Sequence, residues 1–255
     1  MAWYDRYIVS SPYGEGNRLG AISITVPDVP NRALLALATG RSTDTNPEQI
    51  TGFTWQSAGF SPIIAHESYD FNGEGEIYAW YLLNPAVAGP ANVSISYALS
   101  RNHDTLCQIF VLQNMVQQAP GTDVYSSGTG VTKTISSISA VVGDLVWAVH
   151  GLANNISSPS AGTGGTILLH QYYASTQESS YLSSIKKAKV ASESRTHNWT
   201  TSRDFGMGAF AMTGYPPGGG GATWLMSRMQ DFYDELKRGL IAPDLLKKRY
   251  AELFV

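Results

Sequence analysis

The chain has 255 residues and a single cysteine, long enough to bury a sizeable core without disulfide staples. Its formal net charge is −3 and only 15% of its residues are charged, which leaves no basic stripe to neutralise phosphates and argues against nucleic acid as a partner. The segment Met1-Ala2-Trp3-Tyr4-Asp5-Arg6-Tyr7 lacks the basic start and apolar core of a secretion signal. No apolar run reaches membrane-spanning length. The expectation is a soluble chain made in a cytoplasm, with no membrane partner.

Residues 1–20 are aromatic, glycine-bearing and irregular. They read either as an edge strand with a loop or as an arm lying on a neighbouring subunit. From residue 21 the chain alternates short apolar runs with turn signals. Arg18 to Val26 and Asn31 to Thr39 are separated by Pro27-Asp28-Val29-Pro30, whose prolines cannot donate to a ladder. The run Ala33 to Ala38 could pass for helix by propensity, but its shortness and its flanks favour a buried strand. Thr51 to Trp55 and Pro62 to Ala65 read as a hairpin around Ser57-Ala58-Gly59.

Asp70-Phe71-Asn72-Gly73-Glu74-Gly75-Glu76 is an acidic glycine loop that enters the aromatic strand Glu76 to Leu83, stopped by Asn84-Pro85. Ala91 to Leu99 alternates, with Val93, Ile95, Tyr97 and Leu99 on one side and Asn92, Ser94 and Ser96 on the other. Leu106 to Met115, Val131 to Ile138, Leu145 to Val149, Ile167 to Tyr173, Ser184 to Ala191 and Asp204 to Thr213 complete the strands. Cys107, inside the apolar run Leu106 to Phe110, reads as a buried hydrophobe. Spacing of this kind indicates an all-β sandwich or barrel in which strands bury one face on a second sheet.

The composition changes after Tyr215. Pro216 to Gly221 is a Pro/Gly tether, and the organisation reads as a β domain over 21–215, a linker over 216–222 and a helical segment over 223–255. Trp224, Leu225, Met229, Phe232, Tyr233 and Leu236 recur at three- and four-residue steps and form one apolar face. Gly239 stops that helix, Leu240 lies in the turn, and Pro243 suits the first position of a second helix. Its stripe is Leu245, Leu246, Arg249, Tyr250, Leu253 and Phe254. An αα-hairpin this small needs a partner surface. Trp224, Met229, Phe232, Leu236, Leu240, Tyr250, Leu253 and Phe254 are the candidate interaction residues.

Chemical signatures are weak. The glycines of Gly162-Thr163-Gly164-Gly165 lack the lysine and helix of a phosphate-cradling loop. His66, His103, His150, His170 and His197 are isolated along the chain and read as satisfied sheet or loop residues. Asp70, Asn72, Glu74 and Glu76 could offer oxygens to calcium, but the ligand set is incomplete and a solvated turn is the simpler reading. Tyr172, Tyr173, Tyr181, Trp199 and Tyr215 could make a sugar platform, although aromatics in sandwiches usually serve the core. No catalytic residue, cofactor or metal is expected.

Four pieces follow one another in a set order: Asn31 to Leu37, Ile50 to Trp55, Ile77 to Gly89 with its Trp80-Tyr81-Leu82-Leu83-Asn84-Pro85, and Asp204 to Met212. In this the chain resembles the jelly-roll-like β-sandwich modules of tailed-phage virion proteins and related bacterial surface proteins, over Asn31 to Tyr215. The resemblance implies an all-β, two-sheet antiparallel jelly-roll-like sandwich with a C-terminal αα-hairpin. It also implies a non-enzymatic structural role in a virion, as capsid decoration or a head fibre. The alternative is a tail-associated receptor- or glycan-binding module. Leu236-Lys237-Arg238-Gly239-Leu240-Ile241-Ala242-Pro243 is similar to short C-terminal hairpins that mediate association, while Asp244-Leu245-Leu246 is less acidic than that pattern. The implied partners are further copies of the chain, in a closed oligomer such as a trimer, and other virion proteins such as the major capsid protein.

Overall fold

The computed structural model describes residues 4–41, 49–68, 75–98, 103–174 and 179–215. The chain divides into two compact units, Met1–Gly214 and Tyr215–Val255, and apart from Tyr215 the described residues belong to the first. The eight candidate interaction residues from Trp224 to Phe254 lie outside the described residues, as does the C-terminal hairpin.

Among the described residues the strands are β1 (Ile8–Ser10), β2 (Tyr13–Asn17), β3 (Ala21–Val26), β4 (Ala33–Arg41), β5 (Ile50–Trp55), β6 (Ala58–Gly59), β7 (Ser61–Ser68) and β8 (Gly75–Leu83). They continue as β9 (Ala88–Tyr97), β10 (Asp104–Leu112), β11 (Val124–Ser139), β12 (Leu145–Ala153), β13 (Ser160–Ala161), β14 (Gly165–Tyr173), β15 (Ser179–Lys187) and β16 (Ser192–Met212). Every strand pairing among them is antiparallel.

The strands form three sheets in a sandwich-like arrangement, where the sequence led us to expect two. A central sheet runs β1-β10-β4-β8-β7, with β2 also on β10; an outer sheet runs β3-β9-β5-β6; the other outer sheet runs β11-β16-β12-β15-β14, with β13 on β16. The middle position of the first sheet follows from β4, whose residues Ala33 to Gly40 are all buried. Ala33, Leu35 and Leu37 share a core with Trp147, Val149, Tyr181, Ile185 and Phe210 of the β12-containing sheet. Leu34, Ala36 and Ala38, pointing the other way, share a core with Ile22, Ile24, Phe53, Trp55 and Val93 of the β3-containing sheet. Successive side chains of a strand face opposite sides, so β4 serves two cores at once. On the outer strand β9, by contrast, Val93 and Ile95 are buried while Asn92, Ser94 and Ser96 are exposed, the alternation of a one-sided strand.

Three strand readings need correction. Gln56 and Ser57, at φ 44° and 70°, make a tight turn that returns only Ala58–Gly59 onto β5. Residues 61–68 leave that hairpin and pair with β8 in the central sheet. The strand expected over Ser184 to Ala191 is β15, Ser179–Lys187. The strand expected from Asp204 begins at Ser192 and runs for 21 residues, paired with the 16-residue β11 through two register shifts.

Candidate functional site

The polar groups best placed for chemistry sit in two buried clusters, one within the β12-containing sheet and one at an end of the central sheet. The first arises because Ser192 to Trp199 alternates exposed or part-exposed residues with buried Glu193, Arg195, His197 and Trp199. On β15, Tyr181 and Ser183 point to the central sheet, where both hydroxyls donate to Gln108 Oε1 at 3.2 and 2.7 Å. Ser184 therefore points away from the central sheet, toward the inward side chains of β16.

There Arg195 Nη2 donates to Ser184 Oγ. Ser184 Oγ lies 2.6 Å from His197 Nε2, and His197 Nδ1 lies 3.1 Å from His150 Nδ1. A guanidinium can only donate, so Ser184 Oγ accepts from Arg195. The Ser184–His197 and His197–His150 contacts take their direction from the histidine tautomers, and among the described residues His150 Nε2 has no hydrogen-bond partner. The His150 ring stacks on His197 at 5.2 Å between centroids and meets Trp199 and Phe205 edge-on at 4.9 and 5.5 Å. Burial pushes His150 down to about 3, with Lys133 adding to the effect. His197 is held well below its ordinary value by burial, then by His150 and Arg195. Both imidazoles are neutral. Ser184, His150 and His197 are each 0% exposed. A hydroxyl hydrogen-bonded to an imidazole has the parts of a nucleophile and base, but this oxygen is sealed and already holds a guanidinium proton. The chain acts as an internal tie between β12, β15 and β16.

The second cluster lies where β8, β4 and β10 run side by side, with Gly40 paired to Glu76 on one flank and to Thr105 on the other. Glu76 accepts from Tyr78 Oη, and His103 Nε2 stands 3.6 Å from Glu76 Oε2 with both side chains fully buried. His103 Nδ1 is 3.1 Å from Thr105 Oγ1, which is 2.9 Å from Tyr97 Oη. Tyr78 Oη also accepts from the Ile50 amide at 3.1 Å, joining the central sheet to β5. Burial, then Glu76, raises Tyr78 well above its usual value. Asp104 is pushed up to about 6 by burial, against the opposing pull of His103 and Arg41. Gly40 makes room for the cluster: a Cβ there would stand 2.0 Å from His103 Cε1.

These positions revise the sequence reading. Histidines that looked isolated come together as His150 and His197, and His103 meets Glu76. Glu76 belongs to a buried cluster on β8, while its companions Asp70, Asn72 and Glu74 lie outside the described residues. Of the aromatics considered as a sugar platform, Tyr181 and Trp199 are core residues, 0% and 4% exposed. Tyr172 and Tyr173 are part-exposed on β14, at the end of its sheet. Cys107 is buried, and burial raises its thiol. Gln108, read as part of an apolar run, links β10 to β15 instead. Ser184, Arg195 and Glu193 were not among the candidates, and the period-two placement of Glu193, Arg195, His197 and Trp199 was the signal available for them.

Compared with protein-family models, with curated proteins and with solved structures, the chain matches none.

Proposed function

We propose that this chain is a non-enzymatic structural protein of a tailed-phage virion, a jelly-roll-like body used as capsid decoration or a head fibre. The observation that carries the reading is the use made of the chemistry-bearing groups. Ser184, His150 and His197 on one side, and Glu76, Tyr78 and His103 on the other, are buried in hydrogen-bonded ties between strands. A body stiffened in this way suits a mechanical post. The resemblance of Asn31 to Tyr215 to virion modules, and the apolar stripes of residues 223–255, point the same way. The stripes would dock on further copies of the chain, in a closed oligomer, or on the major capsid protein. Many weak identical contacts would then give firm retention.

Removing residues 223–255 tests the assembly role. The shortened chain is expected to keep a cooperative unfolding transition and to lose self-association in light scattering and loading onto particles. Unchanged mass and unchanged loading would overturn that role. A receptor- or glycan-binding module is the second reading, favoured by the part-exposed Tyr172 and Tyr173 on the end strand β14. It requires binding on a glycan array or to host cells, which the first reading does not.

A further inference from the structure

A pocket of about 220 Å³ opens over Arg195, lined by Gly162, Thr163, Gly164, Lys186, Lys189, Ser194, Arg195 and Thr196. Three of these side chains are cations, and among the described residues no carboxylate lines the space. Glu193, beside Lys186 and Lys189, is already committed. Its Oε2 is 2.5 Å from Lys186 Nζ, and its Oε1 accepts from the amides of Lys189 and Val190. It therefore offsets one positive charge and leaves the others.

Arg195 is the unusual member. It is 1% exposed; among the described residues its one hydrogen bond goes to the neutral Ser184 hydroxyl, and its buried Nε has no partner. Burial lowers it to about 10 and Glu193 opposes that shift, so it stays protonated near neutral pH. A buried guanidinium with most of its five donors unused is costly unless an anion meets it.

The loop above it is shaped for close approach. A Cβ on Gly165 would fall 2.4 Å from Arg195 Nη1, and one on Gly162 would fall 2.7 Å from Thr196 Cβ. Gly164 takes φ +74°. Only glycines let this backbone lie on the guanidinium. Thr163, Ser194 and Thr196 also line the space, and the Thr196 hydroxyl is paired with Thr134 Oγ1 at 2.8 Å.

We propose that this pocket binds a single phosphate group, either free or as a phosphate monoester of a small polyol. Its volume lies below the usual range for drug-sized ligands, which suits one compact anion better than a longer chain of sugars. The proposal does not depend on the virion reading, because it concerns the purified chain alone.

Calorimetric titration of the full chain with inorganic phosphate, and separately with glycerol 3-phosphate, tests it at fixed ionic strength. Saturable binding of one equivalent is expected for at least one of them, with chloride and glycerol silent. Tighter binding of the ester would assign the group to a polyol phosphate; tighter binding of inorganic phosphate would assign it to the free ion. Lys189 is exposed, so Lys189→Glu should leave the fold intact, as checked by circular dichroism, and weaken binding at least tenfold. Arg195→Gln should abolish it. Absence of binding with both probes, or unchanged affinity in Lys189→Glu, would overturn the proposal.

Discussion

Replacing Trp147 by Ala is expected to destabilise the body by about 3–5 kcal/mol, the range for deleting a buried aromatic. Trp147 is 0% exposed and sits between the central sheet and the β12-containing sheet. Its ring meets Phe110 of β10 edge-on at 4.9 Å. The two sheets close on that contact. One term works in the other direction: Trp147 Nε1 is buried without a hydrogen-bond partner, and the substitution removes it. The loss should therefore fall toward the lower end of the range. Guanidinium unfolding at constant m-value measures it. A loss below about 1 kcal/mol would mean that Trp147 does not lie between two sheets.

Stability should also fall as the pH drops from 7 to 5. His150 has a folded value of about 3 against an ordinary 6.5, and His197 is also held well below 6.5. Below about pH 6.5 the unfolded chain takes up protons that the folded chain refuses, which draws the equilibrium toward unfolding. The loss starts near 6.5 and continues toward 3. His150 contributes about 1.4 kcal/mol per pH unit in that window, on the order of 2 kcal/mol at pH 5, and His197 adds a loss in the same direction. Asp104 works in the opposite sense. Its value is raised to about 6 from 3.8, so the folded form holds a proton that the unfolded form releases, and this group gains stability as the pH falls through 6. One carboxyl offsets only part of the loss from two imidazoles. Unfolding curves at pH 7, 6 and 5 should show the decline, and His150→Leu should make it shallower. A flat profile, or a slope untouched by that substitution, would mean that the two rings are not buried neutral.

The sequence carried the strand pattern more clearly than the layering. Val93 and Ile95 alternate with Asn92, Ser94 and Ser96, and that period-two signal marks a strand with one wet face. Ala33 to Ala38 and Leu106 to Leu112 run apolar or buried with little interruption, because β4 and β10 are buried on both faces. Leu145 to Ala153 of β12, in an outer sheet, is buried throughout as well, so unbroken burial did not by itself mark the third layer that a two-sheet expectation overlooked. The first half of β16 was hidden for another reason. Ser192, Ser194, Thr196 and Asn198 point outward while Glu193, Arg195 and His197 point inward, so both faces are polar and no apolar period appears. The pairing of His150 with His197 is set by how β16 lies against β12, across 47 residues of sequence, and no local spacing encodes it.

Locating the chain on purified particles tests the proposed role most directly. Labelled full-length protein, imaged by electron microscopy, is expected at regular, repeated positions on particle heads, and the label should vanish when residues 223–255 are removed. Particles that carry no label, with the chain left free in the lysate, would contradict the account.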